Sequence, residues 1–212
     1  MTITNLVLIR HALNDWVGKR LAGWTPDVHL NDEGRAQVAD LVGRLSETRL
    51  SAIYTSPLER ALETAHPLAQ AQGLRPVVSD ALAEVRYGTW TGRELKALQK
   101  EKLWPIVQIY PSGARFPDGE SLREVQTRMV AELDAIVDAH RGETVAAVSH
   151  SDPIKLAVAF YSGLSLDLFQ RLTVSPASVT VLSFSPFGPR LAVLNHTGAL
   201  PPLGPPEQEK EH

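Results

Sequence analysis

The chain contains no cysteine, which excludes disulfide staples, thiolate catalysis and cysteine-ligated zinc. It also lacks any apolar run near the roughly 20 residues that a membrane helix needs. It has no excess charge of one sign either. With 21 Lys and Arg against 24 Asp and Glu the formal balance is −3, so a general nucleic-acid binder or membrane-surface protein, which needs a broad positive field, is not expected. The start, Met-Thr-Ile-Thr-Asn, has neither the charged opening nor the apolar core of a signal peptide. A cytoplasmic soluble protein with no nucleic-acid or membrane partner is the expectation. What remains is 212 residues, 43% of them hydrophobic, enough for one well-buried layered domain.

The most informative stretch is Leu6-Val7-Leu8-Ile9-Arg10-His11. Four consecutive branched or aliphatic residues suit a strand covered on both faces, as in a parallel sheet between helices. Ligands of such sheets gather at the carboxyl ends of the strands, where Arg10 and His11 emerge. Residues 12 to 30 then carry Gly, Trp and Asp without a helical or strand period, and a loop of that length is usually functional.

Asn31 caps a helix with Val38, Leu41, Val42 and Leu45 on one face, ending near Thr48. Leu50 to Thr55 reads as a second strand. Ser56-Pro57 reads as a serine cap with proline at the first helical position, opening a helix from Leu58 to about Ala71. Arg60 falls in the first turn, where the helix dipole disfavours a cation and favours an anion beside it. Arg75 to Ser79 fits a third strand, leading to Glu84 and then Tyr87-Gly88-Thr89-Trp90-Thr91-Gly92.

Residues 93 to 120 read as a crossover with a lid-like insertion, helical over Glu94 to Lys102. Ser121 and Glu124 form a capping box for a helix with Val125, Met129, Leu133, Ile136 and Val137 on one side. Thr144 to Ser149 is again a covered strand. Asp152-Pro153 repeats the cap-then-proline start, before a helix apolar nearly all round. Val179 to Phe184 and Arg190 to Asn195 form a hairpin with a long turn over Ser185 to Pro189. The expected organisation is one domain over 1–196 with a peripheral Pro/Glu-rich tail over 197–212. The hairpin or an edge strand could pair two subunits, which leaves a homodimer open.

Two arginines, two histidines and a glutamate at strand and helix ends suit phosphoryl chemistry. Guanidinium forks and helix N-termini meet a phosphate dianion. A histidine attacks phosphorus if one ring nitrogen is unprotonated while the other donates to a carbonyl. A glutamate protonates the leaving oxygen and then activates water. Arginine and imidazolium can meet the developing charge, so no metal and no cofactor is expected. For the acid, Asp80 and Glu94 compete with Glu84. His29, His66, His140 and His196 default to surface or packing roles.

Five segments in order carry a resemblance: Arg10-His11-Ala12 with Asn14, Ser56-Pro57-Leu58-Glu59-Arg60-Ala61-Leu62-Glu63-Thr64-Ala65, Glu84 with Tyr87 to Gly92, Gly119-Glu120-Ser121, and Ser149-His150. Over about residues 3 to 195 the chain resembles the histidine phosphatase superfamily. The resemblance implies a three-layer α/β sandwich of the phosphoglycerate mutase-like kind, with a mostly parallel sheet and helices on both faces. It implies His11 as the phosphorylated nucleophile and Glu84 as acid and base. Arg10, Arg60, His150 and Asn14 would hold the phosphate.

The chain departs from the family pattern in three respects. Ala12 stands where the signature has glycine, putting a β-carbon beside the phosphate loop. Val17 follows Trp16 where true mutases have Asn, and their long insertion with paired arginines is missing. The leading expectation is a metal-independent phosphatase of small phosphomonoesters. A primed phosphomutase and a non-catalytic phospholigand-binding protein are the alternatives. Selectivity is expected from residues 12 to 30, residues 93 to 120 and Trp90.

Overall fold

A computed structural model of the chain describes residues 2–201 and 203. In chain order it runs β1 (Thr4–Arg10), α1 (Asp32–Arg44), β2 (Ala52–Thr55), α2 (Glu59–Ala71), β3 (Val77–Val78), α3 (Leu95–Leu98), α4 (Trp104–Ile109), α5 (Leu122–Ala139), β4 (Thr144–Ser149), α6 (Ser151–Tyr161), β5 (Val179–Ser185) and β6 (Gly188–His196). One six-stranded sheet has the order β3-β2-β4-β1-β5-β6. The first four in that order are parallel, and the β5–β6 hairpin is added antiparallel to β1.

β1 sits in the middle with both faces covered. Val7 and Ile9 join one core with Leu41, Leu45, Ile53, Ala65 and Leu68 from β2 and the α1/α2 layer. Leu6 and Leu8 join the other with Met129, Leu133, Ile136, Ile154 and Val158 from α5 and α6. The period-2 alternation of the strand thus feeds two opposite helical layers, and the three-layer sandwich with a mostly parallel sheet follows.

A third core, made by Val85, Tyr87, Trp90, Leu98, Val107, Phe116 and Phe169, lies under residues 93 to 120. That segment is a packed cap with two short helices of its own rather than a loose lid. Trp90 is buried in it, stacked on Trp104 and edge-on to Phe116.

Local sequence logic holds at α1, where the Asn31 side chain accepts from the Gly34 amide at 2.8 Å. It holds again at α5, where Ser121 and Glu124 form the reciprocal capping box. It fails at the two cap-then-proline starts. The helix after Ser56-Pro57 begins at Glu59 with Leu58 as N-cap; the Ser56 hydroxyl accepts from the Leu58 amide at 3.3 Å, ahead of the helix, and is shared with His150 at 2.7 Å. The helix after β4 begins at Ser151 with His150 as N-cap, which places Asp152 and Pro153 inside the first turn.

Three boundaries also move. β3 is only two residues long and exposed, since an edge strand has one partner and little to bury against. The hairpin turn is two residues, Pro186 and Phe187, because pairing extends out to Ser185 and Gly188. Of the tail expected over 197–212, Leu200 and Leu203 pack against the α1/α2-side core, so its start is attached rather than peripheral. Pro202 and residues 204–212 lie outside the described residues.

Gly34 ties the loop after β1 to the fold. A β-carbon there would meet the Leu13 carbonyl oxygen at 2.0 Å. Glycine to alanine inside a helix ordinarily stabilises by about 1 kcal/mol. Here Gly34→Ala is expected to destabilise, by about 1–3 kcal/mol, as overpacking does; urea unfolding checks the sign.

Candidate active site

Strand register brings the site together. In the parallel β1–β4 pair Arg10 lies opposite Ser149, so the next residues, His11 and His150, emerge side by side. Their ring centroids are 5.1 Å apart. Thr55 lies opposite Val148, and Ser56 just beyond it meets the His150 ring at 2.7 Å. Arg60 then enters from the first turn of α2 and Glu84 from the loop after β3.

Together with Asn14, Tyr87, Ser151 and Asp152, the residues Arg10, His11, Arg60 and Glu84 line a cleft of about 150 Å³. This is smaller than the roughly 300–1,000 Å³ of drug-sized ligand sites. Its outer wall comes from Trp16 to Ala22, with Leu95 from the cap. The long loop after β1 therefore does line the site. Of the cap only Leu95 reaches it, and Trp90 does not, because its ring is consumed in the cap's core.

His11 is buried, and its Nδ1 lies 2.7 Å from the carbonyl oxygen of Ala12. A carbonyl only accepts, so Nδ1 carries the proton and Nε2 is left with its lone pair. Burial, then the Arg60 and Arg10 charges, hold the ring far below the usual histidine range. His150 is pushed down in the same way, first by burial and then by Arg60, His11 and Arg10. Both rings are neutral in the free protein, so His150 offers a hydrogen bond rather than the full positive charge of an imidazolium.

The arginines are deeply set, with Arg60 only 1% exposed. Arg10 donates to the Val174 carbonyl at 2.6 Å and Arg60 to the Gly23 carbonyl at 2.8 Å. Yet Arg10 Nε, Arg60 Nε and Nη1 and His150 Nδ1 are buried without a partner among the described residues; the two arginines line the cleft, whereas His150 is fully buried against the His11 ring and does not itself line it. Buried donors are almost always paired. Several unpaired ones around one cleft mark a site built for an anion.

Glu84 is also buried, and Oε1 accepts from the Val85 amide at 2.9 Å. Burial, followed by the negative charge of Asp152, raises its carboxyl to about 7, against the opposing pull of Arg60 and Arg10. Of the competitors, Glu94 is exposed and ion-paired with Arg20 at 3.1 Å, and Asp80 starts a short 3-10 turn. Neither lines the cleft.

Several supporting residues escaped the sequence reading. The Trp24 indole donates to the Glu84 carbonyl at 2.8 Å, and Arg128 of α5 donates to the same oxygen at 3.0 Å. The Arg86 guanidinium covers the Trp24 ring at 3.6 Å. Thr64 accepts from the Ala12 amide at 3.0 Å and donates to the Arg60 carbonyl at 2.7 Å, linking the His11 loop to α2. Ser56 and Thr64 could have been suspected from their segment and Trp24 from its place in the loop expected to be functional; Arg128 carried no local signal. Residues 174 to 178 cradle Arg10: Val174 accepts from its side chain, and the Ala177 amide donates to its carbonyl at 3.1 Å.

Ala12 is fully buried, in a small apolar cluster with Leu30, Val38 and Ala177. It does not line the cleft, so the methyl group that replaces a hydrogen is absorbed among those apolar side chains. Asn14 is buried, its Oδ1 accepting from the Trp16 amide at 2.9 Å. Its amide NH2 group is the donor it can offer the cleft. His29, His140 and His196 lie outside the site, engaged with Glu63, with Tyr54 and Glu143, and with the Ala199 carbonyl.

With this geometry in view the relatives are informative. Residues 6–197 match the family described as the histidine phosphatase superfamily, branch 1. The chain belongs to that superfamily. It is 31% identical over 185 residues to phosphoserine phosphatase 1 of Hydrogenobacter thermophilus, covering 85% of this chain and 86% of that protein. It is 30% identical over 202 residues to the bifunctional protein Rv2228c of Mycobacterium tuberculosis, covering 94% of this chain but 56% of that longer protein. Among solved structures, YhfR of Bacillus stearothermophilus superposes with a TM-score of 0.84 at 30% identity, over 91% of this chain and 96% of that one.

Thr64→Val keeps the shape but strands the Ala12 amide. The expected cost is about 1–3 kcal/mol, the penalty of an unpaired buried donor, read as a lowered urea midpoint.

Proposed function

We propose that this protein is a metal-independent phosphatase that hydrolyses a small phosphomonoester through a phosphohistidine on His11. The observation that carries the reading is the set of unpaired buried donors on Arg10, Arg60 and His150 around an imidazole whose free nitrogen is Nε2. A phosphoryl dianion uses all of them at once. Its charge is met by the two arginines, with Asn14 and the His150 ring adding hydrogen bonds, so the scheme needs no metal. The phosphatase named among the relatives supports the same reaction class.

In the first step His11 Nε2 forms a bond to phosphorus while the ester oxygen leaves with its electron pair and takes the proton of Glu84. In the second, the Glu84 carboxylate takes a proton from water, whose oxygen attacks phosphorus. The N–P bond breaks, inorganic phosphate departs, and Glu84 is protonated again. A carboxyl held near 7 can do both, since neither protonation state is scarce near neutral pH.

His11→Ala is expected to abolish turnover and the acid-labile phosphoenzyme trapped by rapid quenching. Turnover of an aryl phosphate at the wild-type rate by that variant would sink the assignment. Glu84→Gln is expected to lose about 10²–10⁴-fold on an alkyl phosphate and far less on p-nitrophenyl phosphate, whose leaving group needs no proton. For wild type, kcat/KM on the alkyl ester should fall as pH rises through about 7, because the acid form of Glu84 is lost there. Primer-dependent isomerisation with little phosphate release would instead identify a mutase, and phosphate binding without turnover a binding protein.

A further inference from the structure

The cleft holds a second carboxyl that this scheme leaves idle. Asp152, in the first turn of α6, lines the same cleft as Glu84. Tyr87, three residues beyond Glu84, donates its hydroxyl to Asp152 Oδ2 at 3.0 Å. Lys155, one turn further along α6, pairs with Asp152 Oδ1 at 3.1 Å. The Lys155 ammonium is itself fixed, donating to Gln170 at 2.9 Å above the Phe169 ring. Both oxygens of Asp152 thus receive donors, one of them charged, while the carboxyl of Glu84 receives one backbone amide.

Two carboxyls in one buried cleft do not both ionise freely, and their unequal surroundings decide where a shared negative charge rests. We propose that Asp152 is a positioning residue whose fixed negative charge, anchored by Lys155 and Tyr87, keeps the proton on Glu84 until the leaving group takes it. This rests on Glu84 being the acid, and it assigns Asp152 a role in the timing of that proton.

The charged groups around Glu84 enter the balance, including the Lys155 ammonium that pairs with Asp152 and Arg20, which lines the same cleft. Arg10 at the end of β1 and Arg60 on α2 favour its anion. Arg128 on α5 grips its main chain. The His11 and His150 rings are neutral, and the Tyr87 phenol, raised by burial and the two carboxyls, stays protonated. Asp152 is the charge in this group that opposes the arginines. A plainer role exists, since an acidic residue in a first helical turn complements the helix dipole. That role predicts lost stability with no change in where Glu84 titrates.

The test follows the Glu84 carboxyl by 13C NMR in protein labelled at glutamate, with Glu84→Gln identifying the signal. In Asp152→Asn the Glu84 midpoint is expected to fall by about one pH unit, the scale of a nearby like charge. On an alkyl phosphate the basic limb of kcat/KM should move with it, a roughly tenfold relative loss at about pH 8. Asp152→Asn leaves the Lys155 ammonium buried without its carboxylate. The double variant Asp152→Asn/Lys155→Met removes that strain and should shift the midpoint in the same direction.

An unmoved Glu84 midpoint in a folded variant overturns the proposal, whichever acid the reaction uses. If Glu84→Gln leaves the wild-type basic limb in place, it is the assignment of Glu84 as acid that fails. The NMR midpoint then still decides whether Asp152 controls its proton.

Discussion

The parallel pairing of β1 with β4 is the constraint on which the rest of this site depends. Arg10 opposite Ser149 makes His11 and His150 neighbours across more than a hundred residues of chain. A one-residue slip would turn every side chain of β1 to the opposite face. That slip is resisted because Val7 and Ile9 are buried in one core while Leu6 and Leu8 are buried in the other. The register that serves chemistry is therefore enforced by hydrophobic burial on both faces of one strand, far from any catalytic group.

Burial then sets the electrostatics. Low dielectric around the cleft makes neutral imidazoles, a glutamate carboxyl raised to about 7 and unpaired guanidinium donors coexist. Such a site is under-satisfied by the protein alone, and the same desolvation that disfavours charge in the free protein would strengthen each contact to a dianion bound as proposed. Supporting contacts hold backbone rather than reacting atoms: Trp24 and Arg128 on the Glu84 carbonyl, Thr64 on the Ala12 amide, the Ala177 amide on the Arg10 carbonyl. Precision of this kind is what a reaction sensitive to sub-ångström placement requires.

The failures of local reading share one cause. Ser56 reads locally as the cap of α2, but the helix starts later, and its hydroxyl, which accepts from the Leu58 amide, is shared with His150 arriving from β4. Asp152 was assigned the same duty one segment later. It lies inside the first turn, facing Tyr87 and Lys155. Trp90 was expected at the pocket and is buried against Trp104 and Phe116, because an indole near an apolar cap buries more surface there than at a wet cleft. In each case a contact between segments distant in sequence outweighed a local preference worth only about 1 kcal/mol.

What the sequence by itself determined is the covered strand ahead of Arg10 and His11, the capped helices α1 and α5, the α/β alternation and the ordered segments that carry the family likeness. These are legible because burial period and capping chemistry act within a few residues. Tertiary structure alone decided which nitrogen of His11 is free, why Glu84 and not Glu94 or Asp80 faces it, where the Ala12 methyl goes, and that Asp152 shares the cleft. Those outcomes depend on desolvation and on charges brought together from β1, α2, α5 and α6, and such fields exist only once the chain has folded.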